Sequence, residues 1–177
     1  MKLIGLYSPA PQSGKTMVAD VLSDHGHVIV PFARTLKEML LPMLVTLGYS
    51  YPRAWEMLLR DKEMIVPEIG VSVRHMLQTL GTEYGRQCLH PNVWLTCWQK
   101  QAQRHSFVVA DDVRFLNEAE LVRSMGGQMW LVHRPGAERI TEHASEGSLD
   151  DFDFDHVIEN DGTLDELRTK VLAAMDA

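Results

Sequence analysis

The run Pro9-Ala10-Pro11-Gln12-Ser13-Gly14-Lys15-Thr16, directly after the apolar stretch Leu3-Ile4-Gly5-Leu6-Tyr7, constrains this chain more than any other. It reads as a buried strand, a tight turn, and a helix that opens at about Gly14 and runs through Met17 to Leu22. Such a turn presents successive main-chain N–H groups, which join the positive end of the helix dipole in a cradle for phosphate. Gln12, Ser13, Gly14, Lys15 and Thr16 are the phosphate-binding candidates, with Lys15 reaching the outer phosphates and the Thr16 hydroxyl on Mg²⁺. The pattern G-x-x-x-x-G-K-[ST] is broken at its first position, where Pro9 stands with Pro11 close behind. Proline fixes φ and removes a donor, so the loop must open differently or start at Ser8.

Four apolar residues, Phe107-Val108-Val109-Ala110, close on Asp111-Asp112. A carboxylate at the C-terminal end of a buried strand, in a chain with a phosphate loop, is placed to hold a Mg²⁺-bound water or to orient the attacking group. Asp111 and Asp112 are both metal candidates, and neither is preferred. The chain then turns into a helix with Arg114 near its start.

His27 to Phe32 reads as a short strand, and residues 33–63 as helical, with Leu36, Met39, Leu40, Met43, Leu44 and Leu47 at helical spacing. His25 and His27 read as part of a turn before the strand rather than as metal ligands. Arg34 and Lys37 lie just past the strand's C-terminal end, the edge where open α/β sheets bind ligands; solvated surface cations are the alternative. Over residues 71–88 a 3.6-residue period puts Val73, Met76, Leu77, Leu80 and Tyr84 on a core face. Arg74, Gln78, Gly81, Thr82 and Gly85 make a second stripe, with Arg86 at its margin. Each glycine inside a helix costs about 1 kcal/mol against alanine, which suggests a face that a base and a phosphate approach closely. Close helix packing at the glycines is the alternative.

A helix from His90 to near Arg104 should bury Trp94, Cys97 and Trp98, and Gln128 to His133 reads as another strand. Arg134 opens a polar stretch, 134–155, with Arg139, His143, Ser145 and Glu146. Its length suits a lid, which would exclude water from transferring phosphates. His156 to Glu159 is a last strand, and Thr163-Leu164-Asp165-Glu166 is a capping box for a final helix to Ala174. Strands alternating with helices give an α/β fold with a mostly parallel sheet of about five strands. The expected organisation is a single domain over 1–177, with a helical insertion over 33–90.

With 177 residues the chain suffices for one full core, and its net charge of -7 argues against gripping long nucleic acid. The apolar stretch around Met39 to Leu47 falls short of the roughly 20 residues of a membrane span. The first strand begins at the N-terminus, so no secretory leader is expected. Cys88 and Cys97 read as free thiols, and a cytoplasmic protein is expected.

Gln78 to Arg86, the box Asp112-Val113-Arg114-Phe115 with Asn117-Glu118-Ala119, and His143-Ala144-Ser145-Glu146 resemble the deoxynucleoside monophosphate kinases of tailed bacteriophages, a P-loop kinase family. The stretch Asn160 to Thr163 resembles that family's closing pattern, and the likeness covers nearly the whole chain. The resemblance implies transfer of the ATP γ-phosphoryl group to a deoxynucleoside 5′-monophosphate, with Mg²⁺, in host cytoplasm. It implies that Lys15 and Mg²⁺ neutralise the β- and γ-oxygens and that Asp112 or Asp111 organises the metal's waters. Arg114, Arg86 and Arg74 would hold the acceptor phosphate, Gln78 would read the base edge, and Arg134 or Arg139 would close from the lid. A homodimer is compatible with it. A kinase of the dephospho-coenzyme A type is the nearest enzyme alternative, and a nucleotide-binding or ATPase module is the alternative of another class. A GTP switch is disfavoured because no N-K-x-D motif occurs.

Overall fold

The computed structural model describes residues 1–137 and 149–177. The chain forms two compact units, residues 1–31 with 100–177, and residues 32–99. No helix among the described residues is long and apolar enough to cross a membrane.

The first unit holds β1 (Lys2–Tyr7), α1 (Lys15–Asp24) and β2 (Val28–Ile29). The second contains α2 (Arg34–Thr46), α3 (Tyr51–Leu59), β3 (Ile65–Val66), β4 (Val71–Ser72), α4 (Val73–Thr79) and a π-helical segment, Leu80–Leu89. It also takes in most of α5 (Val93–Ala102), after which the first unit resumes with β5 (Phe107–Ala110), α6 (Leu116–Ser124) and β6 (Gln128–His133). β7 (His156–Glu159) and α7 (Leu164–Met175) complete it.

The five strands of the first unit form one sheet in the order β2-β5-β1-β6-β7, every neighbouring pair parallel. Parallel strands covered on both faces need nearly continuous apolar sequence, and Val108, Val109 and Ala110 are accordingly buried, as are Met129, Trp130 and Val132. Val18, Leu22, Leu167 and Val171 pack helices α1 and α7 onto the same core. Register fixes the functional edge: Gly5 lies opposite both Ala110 and Met129, and His133 opposite Glu159. The loops leaving β1, β5, β6 and β7 therefore emerge at one C-terminal edge. The ring nitrogens of His25 and His27 meet the carbonyls of Val21 (2.8 Å) and Leu22 (3.2 Å), so both histidines close the end of α1.

The second unit has its own core of Leu40, Leu41, Leu44, Ala54, Met57, Leu58, Val66, Val73 and Met76. Fully burying a side chain such as Leu44 or Leu58 contributes about 1.5–3 kcal/mol.

Three local expectations are corrected. The ladder of β2 is only Val28–Ile29, although the Val30 N–H still donates to the Val109 carbonyl at 2.9 Å. Phe32 instead joins the helical unit, stacked on Trp98 with ring centroids 4.1 Å apart. The helical stretch 33–63 is two helices, because Gly48 takes φ 102° and Ser50 caps α3 through the Arg53 N–H. The stretch 71–88 starts as the second strand of a small antiparallel hairpin and becomes π-helical at Leu80. The wider i→i+5 turn alters which residues face inward: Tyr84 is 47% exposed, not buried.

Candidate active site

The loop after β1 is fixed by local chemistry. The Ser8 hydroxyl donates to the Ala10 carbonyl (3.1 Å) and accepts from the Ala10 N–H (3.3 Å), a compact turn that opens the loop where a glycine is missing. Gln12 has φ 55° and Gly14 has φ 100°, two left-handed residues flanking Ser13. A non-glycine residue in that region is uncommon and persists where its surroundings impose it. Here the Arg134 Nη1 donates to the Gln12 carbonyl at 3.3 Å, and the Asn160 Nδ2 donates to the Ser13 carbonyl at 2.9 Å. Gly14 precedes α1 as its N-cap, one residue earlier than the helix proper. Ser13 is 1% exposed, and its hydroxyl has no hydrogen-bond partner among the described residues, an acceptor and donor left for a ligand.

Lys15 opens α1 and is half-buried, while Thr16 is exposed beside it. Burial, and after it the Arg114 guanidinium, lower the Lys15 ammonium to about 8, against the opposing pull of Asp111 and Asp112. Arg114, Asp111 and Asp112 thus all lie close enough to Lys15 to act on its charge. Arg114 stands in the turn between β5 and α6, where the buried carboxylate of Glu118 accepts the N–H of Arg114 (2.9 Å) and of Phe115 (3.2 Å). That clamp supplies acceptors for donors at the start of α6 and fixes the backbone from which Arg114 projects.

The metal candidates Thr16, Asp111 and Asp112 offer a hydroxyl and two carboxylates. Among the described residues no group of three or more His, Cys, Asp or Glu forms a metal cage. Hard oxygen donors in such small number fit Mg²⁺, which keeps waters and takes phosphate oxygens alongside one or two carboxylates.

The remaining candidates lie in the helical unit. Lys37 is half-buried on α2; Arg74 and Gln78 are exposed on α4, and Arg74 pairs with Glu63. Thr82 is exposed and Arg86 half-buried on the π-helical segment. Gly81 and Gly85 do not belong to that surface. Both are buried, the Trp94 indole N–H donates to the Gly81 carbonyl at 2.7 Å, and a Cβ on Gly85 would overlap the Trp94 ring. The glycines admit a tryptophan, the packing alternative.

Arg139, His143, Ser145 and Glu146 lie outside the described residues, 138–148 of the expected lid. The stretch after them packs on the sheet unit: Leu149 is buried, and Phe154 stacks on Tyr7 with ring centroids 5.6 Å apart. Sequence reasoning missed Asn160 and Glu118 as parts of the site. The Asn-x-Gly-Thr pattern and the Arg-x-x-x-Glu spacing were the available signals, but neither shows which loop its side chain reaches.

Residues 56–171 match the family described as deoxynucleotide monophosphate kinase. A protein of Acanthamoeba polyphaga mimivirus bearing that family's name is 30% identical over 99% of this chain and 97% of its own length. The deoxynucleotide monophosphate kinase of Enterobacteria phage T4 is 31% identical over 56% of this chain and 44% of its own. Among solved structures, a dephospho-CoA kinase from Campylobacter jejuni covers 99% of this chain and 96% of its own, with TM-score 0.51 and 12% identity, a likeness of fold. A phosphate loop, a paired-carboxylate strand end and a matching sequence profile agree: this chain belongs to the deoxynucleotide monophosphate kinase family.

Proposed function

We propose that the protein moves the γ-phosphoryl group of ATP to a deoxynucleoside 5′-monophosphate, giving the diphosphate, in the cytoplasm of the host cell. The observation that carries the reading is the gathering of Lys15, Arg114, Asp111 and Asp112 beside a loop whose buried Ser13 hydroxyl has no hydrogen-bond partner among the described residues.

Phosphoryl transfer needs alignment and charge neutralisation more than covalent help. The loop amides and Lys15 hold the β- and γ-phosphates of ATP. When bound, Mg²⁺ supplies charge neutralisation for those oxygens, held by Thr16 and by Asp111 or Asp112. Arg114 grips the acceptor phosphate, where a planar guanidinium pairs two oxygens at once. Arg86 and Arg74 assist it; Lys37 and Thr82 add polar contacts, and Gln78 reads the base edge. The acceptor phosphate has a second pKa of about 6 and is mostly ionised at neutral pH, so no strong base is required. Arg134, already on the phosphate loop, and Arg139 act on the transferring group.

Dephospho-coenzyme A is the second acceptor to test, because a solved dephospho-CoA kinase shares the fold. The test follows ADP release with ATP alone, with each deoxynucleoside monophosphate, and with dephospho-coenzyme A. Stimulation by deoxynucleoside monophosphates alone supports the proposal. Release without acceptor marks an ATPase, and stimulation by dephospho-coenzyme A alone marks the other kinase.

A further inference from the structure

We infer that Asn160 is a positioning residue for the ATP phosphates: from the exit of the last strand it sets the direction of the Gly14 N–H. The inference rests on the proposed function only for the identity of the ligand as a nucleoside triphosphate.

In a planar trans peptide the carbonyl and the following N–H point in opposite directions, and no peptide among those described is cis. Asn160 Nδ2 draws the Ser13 carbonyl toward itself at 2.9 Å, which turns the Gly14 N–H the other way. Arg134 does the same to the preceding peptide through the Gln12 carbonyl. The Ser13 and Gly14 amides are thereby turned away from Arg134 and Asn160 respectively, as successive N–H groups that take part in an anion nest are. Space is matched as closely as direction, since a Cβ on Gly14 would overlap the Asn160 amide nitrogen. With Pro9 in place of the first loop glycine, the two contacts from outside the loop add to the local Ser8 turn that opens it.

Asn160 is itself held. Its N–H donates to the His133 carbonyl at 2.7 Å, and on either side Lys170 Nζ grips the Glu159 carbonyl at 2.8 Å and the Asp161 carboxylate. Helix α7 thus braces the residue that braces the loop. The buried Ser13 hydroxyl, without a partner among the described residues, lies in the same turn.

The test titrates Mg·ATP by calorimetry into the full chain, with Asn160→Asp and Lys170→Met beside wild type. Asn160→Asp keeps the shape and removes the donor, so ATP should bind about tenfold more weakly or worse, as expected for an exchanged polar partner. The KM for the deoxynucleoside monophosphate should stay within about twofold, a split that general damage to the fold would not give. Lys170→Met should weaken ATP by a smaller factor, and it decides the matter if Asn160→Asp does not fold. Unchanged ATP affinity in a folded variant, or parallel loss of ATP and acceptor binding, overturns the inference. ATP binding is read without acceptor, so a wild-type chain that binds ATP and phosphorylates no deoxynucleoside monophosphate sinks the proposed function alone.

Discussion

Arg114 lies near enough to Lys15 for the two cations to oppose each other, with Asp111 and Asp112 in the same field. Like charges brought together without a ligand are an expense that bound phosphate removes. Lys15 keeps most of its charge at neutral pH, since burial and Arg114 lower it only to about 8.

The sign of the pH dependence follows. Between about pH 8 and the ordinary lysine value of 10.5, the unfolded chain binds more protons at this group than the folded one. Lys15 therefore adds a term that raises stability with pH across that window. Nucleotide phosphates favour the ammonium, so ATP binding should take up protons above about pH 8 and little below it. Calorimetry in buffers of different ionisation enthalpy reads the uptake, and Lys15→Met should abolish it.

Arg114→Ala should lower kcat/KM for the deoxynucleoside monophosphate by about 10²- to 10³-fold, as for removal of one aimed charge-stabilising donor. It should also move the onset of proton uptake to higher pH, because the guanidinium that opposes Lys15 is gone. Steady-state kinetics and the same calorimetry check both halves.

Glu118→Ala strips the acceptor from two main-chain donors at the start of α6. Stability should fall by about 1–3 kcal/mol, the range for losing hydrogen bonds to a charged acceptor. The acceptor KM should rise as Arg114 loses its fixed backbone. Glu118→Gln, which retains a carbonyl acceptor, should recover part of each, read by denaturant melts and kinetics.

Gly85→Ala should destabilise the helical unit by about 1–3 kcal/mol, the usual penalty for overpacking. The added methyl meets the ring of Trp94, which is 5% exposed and has no room to retreat. Thermal melts check this. A neutral or stabilising effect would return Gly85 to the open face on which a uniform 3.6-residue period places it.

Where local signals and long-range packing coincided, the sequence was readable. The strand before Ser8, the helix from Lys15 and the apolar run into Asp111 each carry their own periodicity, and all three form as elements where the sequence places them. The helical unit was less readable. Leu80–Leu89 has the composition of an α-helix, and only its packing on Trp94 and Leu36 accompanies a wider turn that a fixed period cannot express. The break before α3 rests on Gly48 and Ser50, a pair easily absorbed into one long helical pattern. Asn160 was invisible for another reason: its partner is a main-chain carbonyl 147 positions away, which no local spacing encodes.

The most direct measurement follows the label of γ-labelled ATP. In the presence of a deoxynucleoside monophosphate the label should appear in the deoxynucleoside diphosphate, in wild type and not in Lys15→Ala or Arg114→Ala that remain folded by circular dichroism. Label found in inorganic phosphate at the same rate with and without acceptor, or transfer at wild-type rate in either variant, would contradict the account.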